Sequence, residues 1–127
     1  RKHRHLHFPF EGPHIRRVYV WAGNNMLSNL LLLPVLGIKL NLDGILYQNF
    51  GSFFGPARWL YIHDVLFLQY PEFFSRTERM YFSLIPFLSR FASKIITISR
   101  HEQERMQRFG LGKPCKAAAI MPRQTFW

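Results

Sequence analysis

The sequence predicts an α/β protein, a Rossmann-like and mostly parallel sheet with flanking helices, and three observations carry that expectation. Short runs of strand-forming residues alternate with segments of helical periodicity, the pattern of βαβ units. The run Trp59-Leu60-Tyr61-Ile62 holds four bulky residues, enough to fill one buried parallel strand. Two Ser-x-x-Glu spacings, Ser75 with Glu78 and Ser99 with Glu102, mark where helices begin.

At 127 residues the chain has room for one ordinary domain. Hydrophobic residues make up 48% and aromatic residues 17%, which excludes a disordered chain. Lys and Arg outnumber Asp and Glu by 17 to 7, so a net charge of +10 draws the protein toward phosphates of some kind. Cys115 stands alone, which removes any intrachain disulfide and favours a reducing, cytoplasmic compartment. No signal peptide is visible at the start, and Met26 to Leu40 is too broken and too short to span a bilayer.

Residues 1–14 carry Pro9, Gly12 and Pro13 among histidines and read as an irregular basic lead-in to a domain over 15–127. Ile15 to Trp21 predicts a strand, broken by Gly23, after which Asn24 or Asn25 caps a helix. That helix runs to Ile38, with leucines too dense for one stripe and a bend or restart at Pro34. Asp43-Gly44 turns into a short buried strand, Ile45-Leu46-Tyr47, followed by Gln48-Asn49-Phe50-Gly51 and a loop exposing Phe53 and Phe54. After the strand at 59–62, the Tyr70-Pro71 pair keeps the link extended.

Ser75 then opens a helix whose core face is Tyr81, Leu84, Ile85, Leu88, Phe91 and Ala92, kinked by Pro86 because that residue cannot donate to the Phe82 carbonyl. Lys94 to Ile98 is a strand, Arg100 to Phe109 a helix stopped by Gly110, and Ala117 to Met121 a weak strand. Glu102, Glu104, Arg105 and Arg108 read as a solvated helix face.

An imidazole and a carboxylate, His63 and Asp64, fall at the carboxyl edge of the 59–62 strand. Ligands of doubly wound sheets bind in the crevice beyond such ends. The plainer alternatives are an ordinary strand-end histidine and a turn-forming aspartate. Ser99 is an N-cap, and a cap at a strand-to-helix junction also aims free N–H groups at the crevice, where an anion could bind. Glu72 and Arg100 complete the candidate set.

His63-Asp64, Tyr70-Pro71-Glu72, the Arg79 to Ala92 helix and Ile95-Ile96-Thr97-Ile98-Ser99, together with Leu33-Pro34 and Leu42-Asp43-Gly44-Ile45-Leu46, resemble the amino-terminal domain of glycosyltransferase family 4 enzymes. The resemblance covers roughly residues 18 to 110. It implies GT-B architecture, two Rossmann-like domains across a cleft, and transfer of a sugar from a nucleotide-diphosphate donor to a glycan or lipid-linked acceptor with retained configuration. His63 would then donate a hydrogen bond to a sugar hydroxyl or stabilise developing charge, and Asp64 would orient that ring or cap the following turn. Ser99, Arg100 and Glu72 would contact substrate.

The departures are equally specific. The family's first strand and glycine-rich loop do not appear in residues 1–14, Pro122-Arg123-Gln124 stands where Pro-Asn-Gly is usual, and the carboxy-terminal nucleotide-binding domain is not in the sequence. The chain is therefore expected to be an inactive piece of a transferase. No cofactor is expected, since there is no P-loop and no zinc spacing among the six histidines and one cysteine. The non-enzymatic rival is a basic binding protein. Charge alone permits nucleic acid, though no recognition module is present, and Phe53, Phe54 and nearby cations permit an anionic membrane surface, the inner face of the cytoplasmic membrane.

Overall fold

The computed structural model describes residues 12–16, 18–20 and 23–111, together with the backbone of 116–119. Helix α1 (Asn25–Leu27), a π-helical stretch (Ser28–Leu32) and α2 (Leu33–Lys39) run on without a break. Asn24 supplies the cap, its Oδ1 accepting from the Met26 N–H at 2.8 Å. The wide π turns sit immediately before Pro34, whose missing N–H and bulky ring disturb the preceding turn, so the predicted restart takes this form. At the other end Asn41 adopts a left-handed φ of 54°. The N–H groups of Asn41 and Leu42 return to the carbonyls of Ile38 and Gly37 at 3.1 and 2.9 Å, a Schellman closure in which asparagine replaces glycine.

Four parallel strands follow: β1 (Gly44–Gln48), β2 (Ala57–Ile62), β3 (Lys94–Thr97) and β4 (Lys116–Ala119), side by side in chain order. Between β2 and β3 lie α3 (Leu66–Gln69), a 3-10 turn (Pro71–Phe73), α4 (Arg76–Phe82) and α5 (Leu84–Ser89), and between β3 and β4 lies α6 (Arg100–Arg108). The architecture is α/β, an open parallel sheet flanked by helices, compatible with part of a Rossmann-like fold.

That strand order fixes which side is covered. Right-handed connections that always step in the same direction lie on the same face of a parallel sheet. Phe67, Ile85, Leu88 and Met106 from the connecting helices accordingly form one core with Tyr47, Leu60, Ile62 and Ile95 of the strands. Helix α2 joins them, since a Cβ at Gly37 would come within 2.6 Å of Ile45 Cδ1. Arg58 ties the near edge together, donating from Nε to the Phe91 carbonyl at 2.7 Å and from Nη1 to that of Gly55 at 3.0 Å.

The alternate residues point the other way. Leu46, Trp59 and Ile98 remain 59%, 42% and 50% exposed, with Leu46 registered beside Trp59 and Tyr61 beside Ile96. Among the described residues nothing is layered on this face, so β1 and β2 are buried on one side and not on both as their composition suggests.

Other expectations are corrected in the same way. Residues 15, 16 and 18–20 form no strand, and Ile15, Val18, Tyr19 and Val20 are exposed, because the described segment finds no sheet edge to pair with. Arg17 and Trp21 lie outside the described residues, as do residues 1–11 of the basic lead-in and residues 120–122 at the end of the weak strand. The 65–74 link is not extended throughout: Asp64 Oδ1 accepts from the Leu66 N–H at 3.2 Å and starts α3, and only Tyr70, φ −130° and ψ 62°, keeps the pre-proline bias. The predicted kink is a full break at Ser83 between α4 and α5, where Phe82 has no N–H donor at Pro86. Of its core face Ile85, Leu88 and Ala92 are buried, while Tyr81 and Phe91 stay exposed.

The capping box at Ser75 and Glu78 closes both ways. The second forms by half: Ser99 Oγ accepts from the Glu102 N–H, but the Glu102 carboxylate turns to Arg105 instead. Glu102 is therefore buried and not on a solvated face, with Oε2 unpartnered. At the far end of α6, Gly110 (φ 76°) and Leu111 return N–H groups to Gln107 and Met106 at 3.0 and 2.9 Å, and Leu111 buries against the core with Met106.

Candidate functional site

Side by side at the carboxyl edge of the sheet, β1 and β2 each end in polar residues. Asn49 closes β1 in the left-handed region, φ 60°, a conformation asparagine tolerates better than most side chains. Its N–H donates to the Tyr61 carbonyl at 2.8 Å, and its Oδ1 accepts from the His63 N–H at 3.4 Å. One strand end thus holds the other in register.

His63 follows β2 directly and is exposed. Its Nε2 lies 2.7 Å from Gln48 Nε2. With the amide donating, the ring nitrogen accepts, which leaves the imidazole proton on Nδ1 as a free donor. Tyr61, two residues earlier and so on the same side, meets the ring edge-on at 4.8 Å between centroids. Asp64 is exposed too, with one oxygen committed to the Leu66 N–H and the other free of that turn. The plainer reading of Asp64 is thus present in part, since it does form a turn.

Behind this rim a half-open pocket of about 290 Å³ runs under the helices. Asn49, His63 and Asp64 form its polar end. Leu66, Phe67, Phe74, Phe82 and Ile85 make the remaining wall. The rings brace one another: Phe67 stacks on Phe82 at 5.3 Å, and Phe74 meets Phe82 edge-on at 5.9 Å.

His63 and Asp64 are brought together at this pocket, and the other candidates are not. Ser99 lies on the same sheet edge, since Thr97 registers beside Ile62, but its hydroxyl accepts from the Glu102 N–H at 3.2 Å and its carbonyl accepts from Thr97 Oγ1 at 2.8 Å. Arg100 and Glu72 are exposed and do not line the pocket. Sequence reasoning missed Gln48, Asn49 and the three phenylalanines. The first two were findable by the rule that singled out His63, since they too end a parallel strand.

Titration is perturbed elsewhere. Burial pushes the Tyr47 phenol up, against the opposing pull of Arg58, and its hydroxyl is buried without a partner. Among the described residues no cluster of three metal-ligating side chains occurs, and no helix is long and apolar enough to cross a membrane. The chain matches no protein-family model, no curated protein and no solved structure.

Proposed function

We propose that this chain is the acceptor-side domain of a retaining glycosyltransferase of GT-B type, which moves a sugar from a nucleotide-diphosphate donor to a glycan or lipid-linked acceptor at the inner face of the cytoplasmic membrane. One observation carries the reading: Asn49, His63 and Asp64 gather at the carboxyl ends of two neighbouring parallel strands, over a pocket, which is where ligands of open α/β sheets bind. The Nδ1–H of His63 supplies a donor for a sugar hydroxyl, and the uncommitted oxygen of Asp64 an acceptor, so the pair positions a sugar and neither acts as nucleophile. Ser99, Arg100 and Glu72 keep no place in the acceptor contact, although Ser99 and Arg100 remain on the rim that a facing nucleotide domain would approach.

The test is a titration of the purified chain with acceptor glycosides and with nucleotide-sugars, followed by calorimetry, with the His63 ring resonances of the unsubstituted chain locating the ligand. Glycoside binding weakened about tenfold by His63→Ala, with weak nucleotide-sugar binding and no turnover, is the expected result. Binding indifferent to His63, or transfer by this chain alone, overturns it.

The net charge of +10 supports a second reading, a basic non-enzymatic protein that binds nucleic acid or an anionic membrane. It requires affinity for DNA or RNA that falls steeply and log-linearly with salt, or for acidic vesicles through exposed Phe53 and its neighbour Phe54. Neither result is expected of a neutral glycoside site.

A further inference from the structure

The pocket beside His63 has two chemically distinct ends, and that division narrows what it can hold. All its polar groups come from the strand ends, Asn49, His63 and Asp64. The rest of the wall is aromatic or aliphatic, with Phe67 and Ile85 themselves buried at its floor. Among the described residues lining it there is no lysine or arginine, and Asp64 brings a carboxyl group. A phosphate held here would meet no lysine or arginine among the described lining residues and would face the Asp64 carboxylate, a repulsive arrangement. A free oligosaccharide needs hydroxyl partners along its length, and beyond Asn49, His63 and Asp64 the lining side chains offer none.

We infer that this pocket binds a neutral amphiphile: a hydroxylated head at Asn49, His63 and Asp64, and an apolar tail among Phe67, Phe74 and Phe82. The inference rests on the acceptor-side reading and selects, within it, a lipid- or alkyl-linked acceptor over a bare glycan, any phosphate lying outside the pocket. At the roughly 30 Å³ that a small group occupies in a liquid, a volume of about 290 Å³ takes about ten non-hydrogen atoms. The head stays at the polar mouth, so the tail portion enclosed is about eight carbons.

The probe is a series of n-alkyl β-glucosides from butyl to dodecyl, each titrated below its micelle concentration into the whole chain by calorimetry. Affinity should rise about fourfold per added methylene, as burial of apolar surface dictates, and level off near eight carbons, when the pocket is full. Leu66→Trp narrows the mouth from a partly exposed position that the fold tolerates, and should cost at least tenfold with octyl glucoside. Trp59→Ser removes apolar surface from the uncovered sheet face and should leave that affinity unchanged, which separates the pocket from adventitious detergent binding.

Affinity independent of chain length overturns the inference, as does loss on Trp59→Ser in place of Leu66→Trp. Tighter binding of a free oligosaccharide than of octyl glucoside also overturns it, and leaves the transferase reading standing. A chain-length series that behaves as expected, but is indifferent to His63→Ala, removes the transferase reading and the head contact at His63 with it, and keeps only the apolar end of the pocket.

Discussion

Residues that alternate along the same strands meet two different environments. On one face Leu60, Ile62, Ile95 and Thr97 are sealed beneath α2 to α6; on the other Leu46, Trp59 and Ile98 stand half exposed. Thr97 apart, both sets are apolar. The composition of these strands is that of a sheet covered twice, and topology decides which cover is present, because β1 to β4 step in one direction and their connections share one side. His63 sits where the two sides meet: its ring contacts Gln48 and Tyr61 of the open side, and the residue also lines the pocket whose other wall belongs to the covered side.

The sharpest way to break this comparison is to truncate one member of each set. Ile95→Ala deletes a fully buried side chain under α5 and α6, and should cost about 2–5 kcal/mol, read from the urea midpoint. Ile98→Ala, three residues along but on the open side, should cost well under half of that. Equal losses would mean that both faces are covered.

Next in size is the loop that closes the covered side. Gly55 has a φ of +100°, and a Cβ there would lie 2.8 Å from Pro34 Cβ and 3.2 Å from Pro34 Cα. Gly55→Ala combines backbone strain with a clash against a buried proline, and about 2–3 kcal/mol should be lost. Retention of stability would show that α2 can move away from the sheet, loosening the covered face.

A smaller effect comes from the helix that walls the pocket. Ser75→Ala removes the N-cap of α4 and should cost about 1 kcal/mol. Its partner makes the helix sensitive to acid. The Glu78 carboxyl is held below its ordinary value of 4.5 by the Ser75 backbone N–H first and the Ser75 hydroxyl second. The folded chain thus takes up that proton less readily than the unfolded one. The contribution is whole above the ordinary value and fades as pH falls through the lower folded value. Glu78→Gln should flatten stability against pH in that acid window alone, and a change appearing only near neutrality would disprove the linkage.

What could be read in the sequence, and what could not, follows the same division. His63 was legible because an apolar run stops at it, and α6 because Ser99 and Gly110 bracket it; both are local facts. The strand expected at Ile15 to Trp21 was not, since strand propensity does not supply a neighbour to pair with. The phenylalanine wall was illegible for a different reason: it exists because Asp64 folds 66–69 into a helix, turning Phe67 inward to meet Phe82 from fifteen residues later. Nor could the run Trp59 to Ile62 reveal that only alternate members are sealed, because full apolarity erases the period that would mark the covered side.

The smallest expected effect is the most discriminating. Among the described residues of the sheet Leu46 is the most exposed apolar one, and Leu46→Thr keeps a strand-compatible side chain while removing apolar surface. If the face is open in the isolated chain, stability should shift by no more than about 0.5 kcal/mol in either direction. Light scattering at rising concentration should show less association, because exposed apolar surface drives it. A loss of 2 kcal/mol or more would require that something seals Leu46 in solution. The ring of His63, on the same face, would then be reached only from its pocket side, and a facing domain could not approach it across the open sheet.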